Sequence, residues 1–137
     1  GVINMSNMFG VPAAVTNIAP LSHIFAGPNY NICIPKLYKR GGKHLKFKEI
    51  LNSKSANFRL GREFNQESIV LIENTSDEIL KLTKEMFNLI NTNGSNDSLK
   101  VNEELKEFKS HFNSNHYTYN GEAKVSSYFL KKYKHLI

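Results

Sequence analysis

The sequence predicts an α/β fold, in the form of a partial Rossmann-like domain with a short parallel sheet flanked by helices and a helical carboxyl-terminal part. Two short apolar runs, at residues 12–16 and Ile69–Ile72, each have the length of a buried strand. The second run leads directly into an amphipathic helix, and this order is typical of a sheet covered by helices. We therefore expect the two runs to lie side by side and to point the same way.

A chain of 137 residues is about one domain. We expect a single partial domain over residues 1–137. Its α/β part would occupy residues 1–95 and its carboxyl-terminal helices residues 96–137.

The chain starts with a predicted succession of helix, strand and loop. Residues 2–9 are apolar enough for a short helix, which ends at Gly10. The strand at residues 12–16 and a polar loop at residues 17–23 follow. This order matches the second half of a β–α–β crossover.

Residues 24–43 show no clear hydrophobic period. We expect residues 30–37 to be extended, with Pro35 near their end, and residues 45–51 to form a short helix. Residues 53–66 are polar and rich in turn formers, which predicts a loop.

A capping box begins the strongest predicted helix, just after the Ile69–Ile72 run. Thr75 is the expected N-cap, and Glu78 three residues later is its partner. Apolar residues recur at helical spacing as far as Ile90, and Gly94 supplies a stop.

Two further helices are predicted before the end of the chain. The first covers residues 101–112, where apolar residues recur at i, i+4, i+7 and i+11. Residues 113–121 read as a linker, and residues 125–137 as a last helix with its lysines turned outward.

The net charge of +6 is distributed unevenly along the chain. Residues 1–35 contain no Asp, Glu, Lys or Arg, whereas residues 36–62 contain nine basic residues and one acidic residue. A soluble surface normally carries charges throughout. We therefore expect this uncharged segment (residues 1–35) to be covered, either by the rest of this chain or by something outside it. One candidate for the latter is a second copy in a homo-oligomer.

The single cysteine, Cys33, fits a reducing compartment. No apolar run approaches the ~18 residues of a membrane span, and no basic segment precedes the first apolar residues as in a signal peptide. We therefore expect a cytoplasmic protein without a membrane span.

The candidate binding residues follow from the rule that ligands bind beyond the carboxyl ends of parallel strands. The loop after the first strand and the turn after the second would meet at that edge, which places Asn17 near Asn74. Turn and cap chemistry offers a second explanation for Asn74 and Thr75. The candidates in these two segments are Thr16, Asn17, Ser22, His23, Asn74 and Thr75.

Lys36 is the first charged residue of the chain and a further candidate for a phosphate partner, although a surface lysine is the more frequent case. It begins a basic strip that would suit nucleic acid. The strip matches no nucleic-acid-binding motif, so a solvated face is the better interpretation. Its members are Lys36, Lys39, Arg40, Lys43, Lys46 and Lys48.

No residue pattern predicts a catalytic acid, base or nucleophile. His111 and His116 lie five residues apart, and no cluster of His or Cys has the spacing of a metal site. The residues therefore predict binding more clearly than chemistry.

Five segments together resemble one family of bacterial glycosyltransferases associated with surface-polysaccharide gene clusters. The resemblance lies in their order and spacing, and it covers most of residues 9–137. The strongest match is the capping-box segment. The five are FGVPAAVTNIAPL, CIPKL, LKFKEIL, ENTSDEILKLTKEM and SYFLKKYKHL.

The resemblance implies a two-domain enzyme of the GT-B type, of which this chain is the carboxyl-terminal part of the nucleotide-sugar-binding domain and is inactive alone. It implies a nucleotide sugar as substrate, with no cofactor and no metal. Two features depart from the family. The small polar loop that would hold the diphosphate is reduced to Gly1, and Lys46 stands where a Thr or Ser cap is expected.

Carried over by position, the candidates fall on three places in the family. Thr16 and Asn17 lie in its loop after the strand, and Lys36 lies on the lysine of its IPK segment. Asn74 and Thr75 lie at its strand-to-helix turn.

Overall fold

The computed structural model describes residues 2–92 and 103–137, so Gly1, the predicted stop at Gly94 and the start of the predicted helix at residue 101 lie outside the described residues. The described residues contain both helices and strands. The strands are β1 (Ala14–Ile18), β2 (Ile32–Pro35), β3 (Leu37–Arg40), β4 (Lys43–His44), β5 (Ile69–Ile72) and β6 (Lys124–Val125). The helices are α1 (Val2–Met8), α2 (Phe47–Leu51), α3 (Gly61–Gln66), α4 (Ser76–Asn91), α5 (Glu103–Ser110) and α6 (Ser127–Lys132).

The first sheet is parallel and has the order β1–β2–β6. Ile32 of β2 lies opposite Ala14 on one side and Lys124 on the other. All of β2 is buried, as expected of a central parallel strand with both faces covered. Helix α4 packs against β1 and β2. This architecture confirms the predicted α/β class, with a short parallel sheet flanked by helices and a helical carboxyl-terminal part.

The second sheet is antiparallel and has the order β4–β3–β5. A single residue, Lys36, separates the end of β2 from the start of β3. One extended segment therefore passes from the parallel sheet into the antiparallel sheet, and Lys36 lies at the transition.

The predicted pairing of the two apolar runs is wrong. β1 pairs with β2, whereas β5 runs antiparallel to β3 in the other sheet, with Leu37 opposite Ile72. The segment at residues 30–37, predicted only to be extended, supplies the parallel neighbour of β1. β5 is not buried on both faces either, since Val70 is 60% exposed.

The core is rich in aromatic rings that meet edge to face. The ring of Phe47 lies 5.1 Å from that of Phe108, and the ring of Phe25 lies 5.0 Å from that of Phe112. Phe129 of α6 completes this group against Phe47 at 6.3 Å. These contacts join α5 and α6 to α2 and to the loop that contains Phe25, and aromatic pairs at such distances add to the stabilisation from burial.

Several predicted boundaries shift in the structure. Residues 53–66 are not a continuous loop, because they include a 3-10 helix at Lys54–Asn57 and helix α3. The predicted last helix is interrupted: Lys124–Val125 joins the parallel sheet as β6, and α6 starts only at Ser127.

Helix α4 carries the predicted capping box, but only part of its apolar stripe faces the core. Leu82, Met86 and Leu89 are buried, whereas Ile90 is half exposed. Within residues 2–92 and 103–137, none of the helices is both long and apolar enough to cross a membrane.

Candidate functional site

The candidate site lies where β1 ends, and its backbone has an unusual conformation. Asn17 has a φ of 57°, in the left-handed region that few residues other than Gly and Asn adopt. The pairing of β1 with β2 shifts register between Val15 and Ile18. Because of this irregularity, Asn17 is not paired with a residue of β2, and its backbone N–H is available to a different partner.

That partner is Asn74, in the turn between β5 and α4. The backbone N–H of Asn17 donates to Asn74 Oδ1 at 2.6 Å, and the backbone N–H of Asn74 donates to Asn17 Oδ1 at 2.7 Å. Asn74 Nδ2 donates to the carbonyl of Pro35 at 2.8 Å. The buried Asn74 side chain therefore joins the ends of β1, β2 and β5. The predicted nearness of Asn17 and Asn74 is correct, although their strands belong to different sheets.

Lys36 lies beside this pair of asparagines. Its backbone N–H donates to the carbonyl of Ile18 at 3.0 Å, which holds the end of β1 against the start of β3. Its side-chain Nζ lies 2.5 Å from Glu73 Oε1, and the two side chains are 20% and 67% exposed. An ion pair with one solvated partner contributes little to stability. Glu73 can therefore leave Lys36 at small cost when another anion approaches.

Thr75 begins α4 as predicted. Its Oγ1 accepts from the backbone N–H of Glu78 at 3.3 Å, and Glu78 Oε2 accepts from the backbone N–H of Thr75 at 2.8 Å. Ser76 and Asp77 follow in the first turn, where backbone N–H groups have no carbonyl partner within the helix. The positive end of the α4 dipole thus lies directly beyond Asn74.

Thr16 lies in β1 next to Asn17 and is half-buried. It shares the edge of the parallel sheet with Asn17, Lys36, Asn74 and Thr75. We call these five residues the sheet-edge site. The predicted site residues therefore divide into this group and a remaining pair.

The remaining pair, Ser22 and His23, lies in another part of the surface. Both belong to a 3-10 helix that begins at Leu21, whose backbone N–H donates to Tyr38 Oη at 3.1 Å. The Ser22 carbonyl accepts from Thr118 Oγ1 at 2.6 Å, and His23 contacts loop residues rather than the sheet-edge site. The prediction that the whole loop after β1 lies at the sheet edge is therefore wrong for its second half, because the 3-10 helix places Ser22 and His23 elsewhere.

The acidic first turn of α4 is bound by the last helix and the residue after it, a contact that no sequence pattern indicates. Glu78 Oε1 accepts from Lys132 Nζ at 2.8 Å and from Tyr133 Oη at 2.5 Å. Burial raises the pKa of the Glu78 carboxyl, but the hydrogen bonds from Lys132, Tyr133 and Thr75 outweigh it and hold the pKa below its ordinary value of 4.5. Glu78 is thus ionised, and it binds the end of α6 through Lys132 and Tyr133, a contact that we call the clamp between α4 and α6.

The sheet-edge site also contains one group that the sequence prediction missed. Glu73 lies in the turn after β5 and is the ion-pair partner of Lys36. Its position next to the candidate Asn74 is the sequence feature that could have identified it as a site residue. Lys46, in contrast, caps α2 without a side-chain hydrogen bond, and Glu49 Oε2 instead accepts from its backbone N–H at 2.8 Å.

The arrangement can hold an anion at the sheet edge, between an ammonium group and the first turn of a helix. Comparison with protein-family models, with curated proteins and with solved structures gives no match to this chain. The resemblance to glycosyltransferases of surface-polysaccharide synthesis therefore stays a prediction, based on the five segments and on the site.

Proposed function

We propose that this chain binds a nucleotide-sugar donor and is the donor-binding part of a glycosyltransferase of surface-polysaccharide synthesis. The observation that carries the proposal is the meeting of three features at one edge. The carboxyl ends of β1 and β2, the ammonium of Lys36 and the first turn of α4 all lie there. Ligands of open parallel sheets bind at this edge.

The donor diphosphate would lie between Lys36 and the first turn of α4. Free N–H groups at a helix N-terminus favour phosphate, and a lysine adds a full positive charge. Glu73, which is largely exposed, would give up Lys36 to the phosphate oxygens. In a transferase the same groups stabilise the leaving diphosphate as its charge develops.

Binding is the appropriate readout, because the family pairs this domain with an acceptor domain across a cleft. We expect UDP-glucose or GDP-mannose, titrated into ¹⁵N-labelled protein, to shift the amide signals of Asn17, Lys36 and Asn74. Lys36→Met keeps the aliphatic stem and removes the charge. We expect it to weaken binding about tenfold, since a hydrogen bond to a charged group is worth at least that factor.

The matched control is Lys43→Met, which removes the same charge from an exposed position in β4. It should leave the affinity for the nucleotide sugars unchanged. The proposal fails if millimolar UDP-glucose and GDP-mannose leave the three amide signals in place, or if both variants lose affinity equally.

The alternative is a nucleic-acid-binding protein that uses the basic strip. Arg40 donates to the carbonyl of Glu67 and lies 3.6 Å from its carboxylate, and Lys36 is paired with Glu73. Two of the strip's six cations thus lie near acids, and both acids are exposed enough to be exchanged for a phosphate group. A gel shift with duplex DNA or RNA, with affinity that falls steeply with salt, would favour the alternative.

A further inference from the structure

Three loops meet on the surface around a cluster of basic and aromatic side chains, which we call the His–Arg–Tyr cluster (His23, Arg59, His116 and Tyr117). Tyr117 Oη lies 2.6 Å from His23 Nε2, and Arg59 Nη2 donates to the same Oη at 2.8 Å. The ring of His116 lies 4.6 Å from that of Tyr117 and 5.9 Å from that of His23. Residues separated by up to 94 positions are therefore in direct contact.

The hydrogen bonds fix where the protons of this cluster lie. A guanidinium can only donate, so Tyr117 Oη accepts from Arg59 and has its own proton left for His23 Nε2. His23 is therefore the neutral acceptor. Burial, followed by the nearby charges of Arg59 and His116, lowers the pKa of His23 and agrees with this assignment.

His116 is oriented by a similar chain of contacts. Thr118 Oγ1 donates its single proton to the Ser22 carbonyl at 2.6 Å, so His116 Nδ1 donates to Thr118 Oγ1 at 2.7 Å. The contact of 3.4 Å from the backbone N–H of Thr118 to the same Nδ1 is too long to compete. His116 Nε2 is therefore the atom left for an external group.

A small cavity adjoins the His–Arg–Tyr cluster and is built from the same three loops. Its volume is about 80 Å³, and its polar walls include Ser22, Asn57, Asn113, His116 and Thr118. A single water needs only ~10–15 Å³, so the cavity has room for a small polar group. Each loop thus supplies at least one residue to the cavity and at least one to the cluster, and His116 belongs to both.

Ser22 provides an independent sign that a ligand belongs here. The residue is 6% exposed and lines the cavity, yet its Oγ has no hydrogen-bond partner. A buried hydroxyl without a partner is uncommon in native proteins and is explained when a bound group supplies the missing bond.

The charge of the surroundings indicates an anion. Among residues 2–92 and 103–137, the ion pairs of carboxylates go to other cations, and none reaches Arg59. Glu63 Oε2 accepts from the backbone N–H groups of Arg59 and Leu60, and the charges of Glu63 and Arg59 attract each other without a direct side-chain ion pair. The Arg59 guanidinium therefore keeps donors beyond the one that Tyr117 uses.

We propose that the cavity and the His–Arg–Tyr cluster form a binding site for a phosphate group, distinct from the sheet-edge site. The Ser22 hydroxyl and the amides of Asn57 and Asn113 would donate to the phosphate oxygens inside the cavity. Arg59 would supply the positive charge beside His116 of the cavity wall, with Tyr117 and His23 holding its guanidinium in place.

The test is a titration of the ¹⁵N-labelled full chain with inorganic phosphate, compared with sodium chloride at equal ionic strength. We expect saturable shifts of the amide signals of His23, Arg59 and Tyr117 with phosphate only. Arg59→Gln should weaken binding about tenfold or more, since a hydrogen bond to a charged group is worth at least that factor. Arg62→Gln, an exposed arginine of α3, removes an equal charge and should change nothing.

The variant Ser22→Ala tests whether the Ser22 hydroxyl binds the ligand or is simply an unpaired buried group. We expect the variant to fold at least as stably as the original chain and to bind phosphate more weakly. Phosphate binding that is unchanged in Ser22→Ala, or that falls equally in Arg59→Gln and Arg62→Gln, would overturn the proposal. So would chloride shifts that match those of phosphate.

A second ligand, glucose 1-phosphate, distinguishes the two sources of the phosphate group. Tighter binding than inorganic phosphate assigns the site to phosphate monoesters, and equal or weaker binding assigns it to free phosphate. The amides that shift also separate this proposal from the proposed function. Nucleotide sugars report at Asn17, Lys36 and Asn74, and phosphate reports at His23, Arg59 and Tyr117.

Discussion

Asn74 shows how one side chain can hold several elements together. Its amide accepts from the main chain of Asn17 and donates to the carbonyl of Pro35, and the residue is buried. Asn17 adopts positive φ, a conformation that costs free energy for most residues and persists only where surrounding contacts hold it. The Asn74 side chain supplies one of these contacts.

Replacement of Asn74 by Ala should therefore destabilise the chain more than an ordinary surface change. The backbone N–H of Asn17 and the carbonyl of Pro35 would both lose their partners inside the protein. Each buried group left unpaired costs about 1–3 kcal/mol, so we expect the free energy of unfolding to fall by about 2–4 kcal/mol. Urea denaturation followed by circular dichroism measures it.

Asn88→Ala is the control, because Asn88 is exposed in the middle of α4. It should change the free energy of unfolding by less than about 0.5 kcal/mol. An equal effect of the two substitutions would show that the Asn17–Asn74 pair does not hold the sheet edge together.

At the scale of elements, the sequence predicted best where a local pattern is long. Helix α4 has a capping box and sixteen residues of helical period, and its start and three of its buried residues were predictable. The rest of the predicted apolar stripe is exposed, namely Ile79, Leu80, Phe87 and Ile90. β5 and α1 were also recognised from their apolar residues. Strands β3, β4 and β6 were not, because they are as short as β5 or shorter and contain charged residues, so they form no apolar run.

Pairing between strands was the part that local patterns could not supply. The extended segment around Pro35 could have joined either sheet, and it joins both, since β2 and β3 are separated only by Lys36. The His–Arg–Tyr cluster was equally hidden. His23, Arg59 and Tyr117 come from three loops without a motif, and only the fold brings them together.

The clamp between α4 and α6 gives a prediction for acid stability. The pKa of Glu78 is lowered in the folded chain, so the unfolded chain takes up a proton first as the pH falls below about 4.5. The stability from Glu78 is therefore present above that pH and is lost as the pH falls through the folded pKa. We expect the free energy of unfolding to decrease with acid over this range.

Glu78→Gln should make this decrease shallower. At pH 7 the variant should be less stable by about 1.5 kcal/mol, the low end for a hydrogen bond to a charged group, because Lys132 is partly solvated. Urea denaturation at a series of pH values measures both effects. Glu107→Gln in α5 is the exposed control, and a pH dependence that Glu78→Gln leaves unchanged would contradict the clamp.

At the scale of the whole molecule, the uncharged segment leaves apolar side chains in solvent. Phe9 is 77% exposed, and Met5, Met8 and Val11 are exposed beside it in the sequence. Rows of exposed apolar residues of this kind mark interaction surfaces on soluble proteins. The segment contains no Asp, Glu, Lys or Arg, so two copies can meet there without repulsion between charges.

We therefore predict a homo-oligomer that contacts through the end of α1 and the residues after it. Sedimentation velocity at tens of micromolar should show a species larger than the 15.6 kDa chain. Phe9→Asp should shift the population towards monomer, because each copy would bury a carboxylate in an apolar contact. Val70→Asp, on the exposed face of β5, introduces the same charge elsewhere and should leave the larger species in place. A monomeric original chain, or equal dissociation by both variants, would show that the uncharged segment is not the contact between copies.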